Sequence, residues 1–317
     1  MNPVKSYTLT LALLIFSALA LTAVGPCQQD QGKRYSYDGI SANAFDAAKE
    51  SEYDSLLQKY VDNDSLIKYE KWTQNTPDFQ NLKNVIAAMG SADDSTMSLD
   101  AKKAFYINAY NALTIDLILS HYSETMGGNG SPLPGERSIR NISNLDSQVW
   151  DHFKWRVSGK QRSLNDIEHR ILRPMGDARI HFAIVCASMG CPPIYRHAFS
   201  EGTLNQVLDE LADSFVNSGK STTFDKVNRI ISTSHILNWF GQDFVNSFGS
   251  LKSFFSKYVE VIPAQEVESY SIKFHDYDWS LNESPPTGSG TEHEVPAPSP
   301  SPSPTPGGSG TEREIGG

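Results

Sequence analysis

Cysteine is scarce in this chain: three in 317 residues, too few for a fold built on disulfides. Basic charge is short as well. Lys and Arg number 27 against 37 Asp and Glu, for a formal net charge of -10. That balance offers no basic face to a phosphate backbone, so no nucleic acid is expected as a partner. There is no Gly-rich phosphate loop or HExxH helix, and no G-x-S-x-G elbow. No cofactor is therefore expected. What is present argues for a packed core. Hydrophobic residues make up 39% and charged residues 20%, with 15 Phe, 13 Tyr and 5 Trp, which excludes a mostly disordered chain.

The two ends differ from the middle. Lys5 precedes the apolar run LTLALLIFSALALTAV, a basic start with an apolar segment as in a signal peptide. Residues 1–26 are expected to be that signal. The uncharged stretch 6–29 is also long enough to serve as a membrane anchor. The expected location is thus exported: periplasm, cell envelope or exterior, with a membrane contact through the N-terminus if the segment is kept. Cys27 stands where a bacterial lipoprotein carries its acylated cysteine, although Pro26 takes a place where a small residue is usual. Residues 27–44 read as a linker. From 285 to 317 the chain carries eight of its 17 prolines, the run PAPSPSPSPTPGG, and the near-copies GSGTEHE and GSGTERE. Ser-Pro alternation favours extended polyproline II and Gly-Ser stays flexible, so this is a tail. Residues 45–284 are left as a single globular domain.

That middle is helical first and mixed later. Apolar spacing predicts helices over 45–61 and 78–89. A third, beginning after a Ser98 cap with Asp100 in its first turn, is apolar nearly all round and hence buried. Asn108 and Asn111 share one face of it, where buried amides must pin a loop or line a pocket. Residues 127–137 form a breaker-rich loop. A short helix over 147–153, a hairpin turn at Ser158-Gly159-Lys160, and a Ser163-capped helix ended by Pro174 follow. RIHFAIVC reads as a buried strand and ASMGCPP as a tight turn. A helix over 203–217, a strand at 229–232 and a helix over 235–248 complete the pattern. Trp239 and Phe240 in ILNWF are expected in the core.

Reactive side chains crowd between Glu168 and His197: Glu168, His169, Arg173, His181, Cys186, Ser188, Cys191 and His197. A thiol at a strand end before a Gly/Pro turn is displayed as active-site groups often are. It becomes a nucleophile when a histidine lowers its pKa and a carboxylate orients that histidine. His181 and Cys186 are five residues apart, about 16 Å in an extended strand and on opposite faces. They pair only if the strand ends or bulges first; otherwise His169 serves Cys186, or His181 serves another group. Three other readings stay open. Cys186 and Cys191 form a disulfide if their Cα atoms lie within about 7 Å, or join His181 or His197 around zinc, or simply pack.

The phrases AFYINAYNALTIDLIL, SLNDIEHRILR, RIHFAIVCASMGCPPIY and HILNWFGQDF, in this order, resemble the domain-of-unknown-function family 547 over about residues 45 to 282. The resemblance implies an α/β (α+β) domain with a helical N-terminal part and a small mixed sheet, cysteine-peptidase-like or transglutaminase-like. It implies that Glu168 and His169 are the family's Glu-His pair, His181 its strand-starting histidine, and Cys186 and Cys191 its two cysteines. Gly190 stands where the family usually has serine, which is expected to loosen the turn. In papain-like folds the nucleophile begins a long helix, whereas the long helix here offers Asn108 and Asn111. The expectation is a thiol-dependent hydrolase or acyltransferase acting on an amide or thioester of a peptide-like or small-molecule substrate. Cys186 or Cys191 would be the nucleophile, His181 the base and Glu168 its orienter, with turn amides holding the oxyanion and Asn108, Asn111, Arg173 and Ser188 around the pocket. The rival is a non-enzymatic envelope or extracellular binding module with a structural Cys186-Cys191 disulfide.

Overall fold

The computed structural model describes residues 33–35, 37, 45–126 and 136–285. The apolar N-terminal segment, Cys27, most of the loop at 127–137 and the tail after residue 285 lie outside the described residues. Among those described, no helix is long and apolar enough to cross a membrane.

Strand β1 (Lys33–Tyr35) comes first. Helix α1 (Ala47–Tyr60) starts where the Asp46 carboxylate accepts from the Ala48 and Lys49 amides, satisfying orphan donors of the first turn. Short α2 (Tyr69–Thr73) and α3 (Thr76–Ser91) follow. Helix α4 (Leu99–Ser120) is capped by Ser98, whose hydroxyl accepts from Ala101 N. Every residue of α4 from Lys103 to Leu119 is buried, as its apolar circumference requires. Helix α5 (Val149–His152) leads into β2 (Phe153–Val157), and Ser158 and Gly159, both left-handed, turn the chain into β3 (Lys160–Arg162). Helix α6 (Leu164–Ile167) begins with a Ser163–Asp166 capping box. It widens into a π-turn over Glu168–Leu172 and tightens into a 3-10 turn over Arg173–Met175. Pro174, expected to stop this helix, sits inside the last turn. The stop is Gly176 at φ 74°, a conformation that costs glycine little.

The expected strand RIHFAIVC is absent. Ala178–Phe182 is a 3-10 turn, and 183–191 continues as bends and turns. The physical reason lies on α4. Asn111 Nδ2 donates to Ala183 O at 2.9 Å, and Val185 N donates to Asn111 Oδ1 at 2.9 Å. One side-chain amide thereby does for this segment what a neighbouring strand would do. Helix α7 (Leu204–Asn217) follows, then β4 (Thr222–Asp225) and β5 (Ile230–Ser234). The helix expected over 235–248 is two, α8 (Ile236–Trp239) and α9 (Gly241–Phe248), parted at Phe240. Helix α10 (Leu251–Tyr258) and β6 (Ser271–His275) close the order.

The class is mixed α/β. One three-stranded sheet runs β1-β2-β3, with β1 parallel and β3 antiparallel to β2. The other runs β4-β5-β6, with β4 antiparallel and β6 parallel to β5. Lys33–Tyr35, expected within a linker, is thus a paired strand, and Tyr35 stacks on Trp155 with ring centroids 5.2 Å apart. Two apolar clusters form. The larger gathers α1 to α4 and β2; the smaller gathers Phe182, Phe215, Phe244 and Phe254. Helix α7 spans both, giving Leu204 and Leu208 to the first and Phe215 and Val216 to the second.

Candidate functional site

At the seam between the clusters lies a cavity of about 210 Å³. The first cluster's side supplies Tyr110, Trp150, Glu168 and His169; the second supplies Ile236, Trp239 and Phe240; His181, Cys186, Cys191, Tyr277 and Trp279 share the wall with Ser147, Asp151, Asn165 and Ile184. His181 and Cys186 meet the same space because the chain between them turns instead of extending. The Asn111 bonds hold that turn.

Cys186 and Cys191 are joined in a disulfide, with Cα atoms 6.5 Å apart, inside the range a bridge can span. The two sulfurs share a polar surround. Cys186 N donates to Cys191 Sγ at 3.0 Å, and the Tyr277 hydroxyl donates to the same sulfur at 3.1 Å. Ser188 Oγ in turn donates to the Tyr277 oxygen at 3.0 Å and lies 3.2 Å from Cys186 Sγ. The turn is tight, contrary to the looseness expected from Gly190. Met189 N and Gly190 N donate to Ser280 O and Asp278 O, each at 2.8 Å. A Cβ on Gly190 would come within 2.9 Å of Asp278 N and 3.0 Å of the Tyr277 ring, so the missing side chain is what lets 277–280 approach.

Glu168 is buried in the π-turn and accepts from the Tyr110 hydroxyl at 3.3 Å. Burial pushes its carboxyl up to about 7, against the pull of Tyr110 and Arg173. His181 stands 4.0 Å from that carboxylate through Nδ1, but its close partner is Asp243, at 2.8 Å from Nε2. The hydrogen-bond partner of His181 is therefore Asp243, with Glu168, expected as its orienter, farther off. Asp243 also accepts from Arg173 Nε at 2.6 Å and Nη2 at 3.0 Å. Burial alone would raise the Asp243 carboxyl, yet the His181 and Arg173 bonds hold it well below its ordinary value. Burial holds the His181 imidazole below its ordinary value, with Asp243 opposing and Arg173 assisting. Its ring stacks on Phe240, centroids 4.0 Å apart.

Other expected positions resolve differently. His169 is on the cavity rim with Nδ1 2.6 Å from Arg173 Nη1, and partial burial with the Arg173 charge lowers its pKa. Arg173 grips Asp243 from behind the wall instead of lining the cavity. Asn108 and Asn111 do not line it either: Asn108 pins Phe199 through both its N and O, each bond 2.8 Å, and Asn111 pins 183–185. His197 lies elsewhere, 3.1 Å from Asp54. Among the described residues no group of three His, Cys, Asp or Glu is placed to hold a metal ion. Trp239, expected in the core, is 47% exposed at the rim, packed against Tyr277 and Trp279 at centroid distances of 4.8 and 5.9 Å. Asp243, Tyr277 and Trp279 were not singled out from the sequence. The signal for the first was a lone acid in the apolar phrase HILNWFGQDF; for the others, it was the aromatic phrase YDW.

No curated protein and no solved structure matches this chain. A family model does match, over residues 95–216, a narrower span than the 45 to 282 expected. That span holds Glu168, His181 and both bridged cysteines, while Trp239, Asp243 and Tyr277 lie beyond it. Over these residues the chain resembles the family described as "Protein of unknown function, DUF547".

Proposed function

We propose that this protein is a ligand-binding module, carried outside the cytoplasm by its N-terminal segment. Its cavity takes a small or peptide-like molecule with a planar apolar face. The observation that carries this reading is the wall itself. Trp150, Trp239, Phe240, Tyr277 and Trp279 converge on one concavity, whose polar groups are Ser147, Asp151, Asn165, Glu168, His169 and His181. Ligand sites have this composition: apolar area supplies affinity and a few placed polar groups fix orientation. An indole left half exposed at such a rim is poised to be covered by a ligand. The thiol-hydrolase reading has less support, because the bridge uses both sulfurs and leaves no free thiol among the described residues.

The test is titration calorimetry of the full chain with N-acetylphenylalanine amide, which combines a planar ring with peptide-like amides. Binding is expected, weakened at least about tenfold by Trp239→Ala, as for a central aromatic contact. Equal affinity in the variant, or no heat from either protein, counts against the module. Amide hydrolysis that disappears in Cys186→Ser would return the thiol-hydrolase reading to first place.

A further inference from the structure

We propose that the Cys186–Cys191 disulfide is a thiol–disulfide exchange site, in which a thiol-bearing ligand in the cavity attacks Cys186 and Cys191 is the leaving sulfur. The inference goes beyond the binding reading and does not require it, since a thiol can reach the bridge without recognition of the aromatic wall.

Three features of the bridge converge. First, both sulfurs line the cavity, where a bridge serving only as a staple gains nothing by standing. Second, as a staple this bridge closes a loop of sequence separation 5, and short loops remove little entropy from the unfolded chain. The same turn is already fixed by Asn111 on one side and by the Met189 and Gly190 amide bonds to 278–280 on the other. Third, the two sulfurs are unequal. The Cys186 backbone amide donates to Cys191 Sγ at 3.0 Å, whereas the Tyr277 hydroxyl, which accepts from Ser188, stands between the sulfurs, 3.1 Å from Cys191 and 3.2 Å from Cys186. Burial pushes the Tyr277 pKa up, so that hydroxyl stays protonated and remains a donor. The amide is a fixed donor to Cys191, and the Tyr277 hydroxyl is close enough to turn to the same sulfur as charge builds there; exchange is faster when the leaving sulfur carries charge more easily.

The ligand thiol gives its proton to the Glu168 carboxylate, which shares the cavity and whose raised pKa suits a proton carrier near neutrality. The thiolate electron pair forms a bond to Cys186 Sγ. The Cys186–Cys191 bond breaks with its pair going to Cys191, where the Cys186 amide and Tyr277 hydroxyl hold the thiolate. With a dithiol ligand, the second thiolate attacks the ligand sulfur of the mixed disulfide and expels Cys186. The ligand is then oxidised by two electrons to its disulfide. The protein is reduced to two thiols, which take up the two protons the ligand gave.

The experiment uses the full chain, reduced glutathione as probe, a rapid N-ethylmaleimide quench and peptide mapping that separates Cys27 from the pair. Expected are glutathione on Cys186 and maleimide on Cys191 under native conditions, with Tyr277→Phe slowing the exchange at least tenfold. Glutathione on Cys191, or shared evenly, overturns the assignment. So does reduction only at the rate of global unfolding, measured alongside by proteolysis, or a folded Tyr277→Phe protein exchanging at the wild-type rate. The mapping on the unmodified chain stands even if that variant fails to fold. Calorimetry with the aromatic amide reads a different event, so each proposal can fail alone.

Discussion

At the scale of single residues, Glu168 ties stability to pH in the direction opposite to most carboxylates. Its folded pKa stands near 7, against 4.5 ordinarily. Between those values the unfolded chain is ionised while the folded chain keeps its proton. Its contribution is thus fully present below about pH 4.5 and is lost as pH rises through 7. The amount at stake is on the order of 3 kcal/mol. Asp243, held low, acts oppositely: its contribution is present above about pH 4 and is lost on acidification below that. The two windows do not overlap. Urea unfolding from pH 5 to 8 should therefore show Glu168→Gln gaining on the wild type as pH rises, and parallel curves would remove the argument. Gly190 makes a second prediction. A serine there must push back Asp278 and the Tyr277 ring. Overpacking of this kind costs roughly 1–3 kcal/mol, so Gly190→Ser should melt several degrees lower, and an unchanged melt would show that 277–280 yields freely.

Elements were legible where local signals are complete and illegible where they are shared. Helices α1, α3 and α4 could be read because caps and apolar spacing agree, α7 from its apolar spacing alone, and the β2–β3 turn because Ser158-Gly159 accepts left-handed geometry. The segment from Arg179 to Cys186 could not be read correctly, since an unbroken apolar run looks the same in a buried strand and in buried turns. What separates them is whether a strand lies alongside, and here the partner is one amide on α4. That dependence can be measured. Asn111→Ala leaves Ala183 O and Val185 N without their partner in a buried setting. Unsatisfied buried groups cost about 1–3 kcal/mol each, so a loss of at least about 2 kcal/mol is expected, with faster amide exchange at Val185. Wild-type protection at Val185 in the variant would mean that the turn holds itself. Asn108 makes the equivalent pair with Phe199, so α4 fixes the chain at 183–185 and again at 199. The Glu168, His181, Cys186 and Cys191 part of the site was legible for this reason: it is local to one stretch. Asp243 is 62 residues from His181 and Tyr277 is 91 from Cys186, and spacing carries no information at that range.

For the whole molecule, the cavity lies between two cores that share α7, and its walls are only as firm as the ends that close each core. At the C-terminal side, Ser284 N donates to Ile67 O at 2.9 Å and Ser284 Oγ to Asp62 at 2.6 Å. Asn282 accepts from Ile67 N and from Tyr69 Oη. A chain ending at Pro285 keeps all of these bonds and should melt with the full chain, while one ending at Ser280 loses them and should not. The N-terminal side decides more, because the sequence reads 27–44 as a linker. Asp116 is fully buried on α4, and its Oδ2 accepts from Tyr37 at 2.6 Å and from Trp155 at 2.9 Å. Burial raises the Asp116 carboxyl against both donors, so removing one leaves a costly group worse satisfied. Beginning the chain at Phe45 would also strip β1 from β2 and uncover the Trp155 face on which Tyr35 stacks. A hydrogen bond to a charged or strained acceptor is worth about 1.5–3 kcal/mol, and the lost aromatic contact adds roughly 1 kcal/mol. The expected loss is therefore about 2–4 kcal/mol relative to a chain beginning at Gln28 with the same end. Urea melts of the two chains measure it. Coincident curves would return 33–37 to the linker, and a difference of the expected size would make them a structural part of the first core.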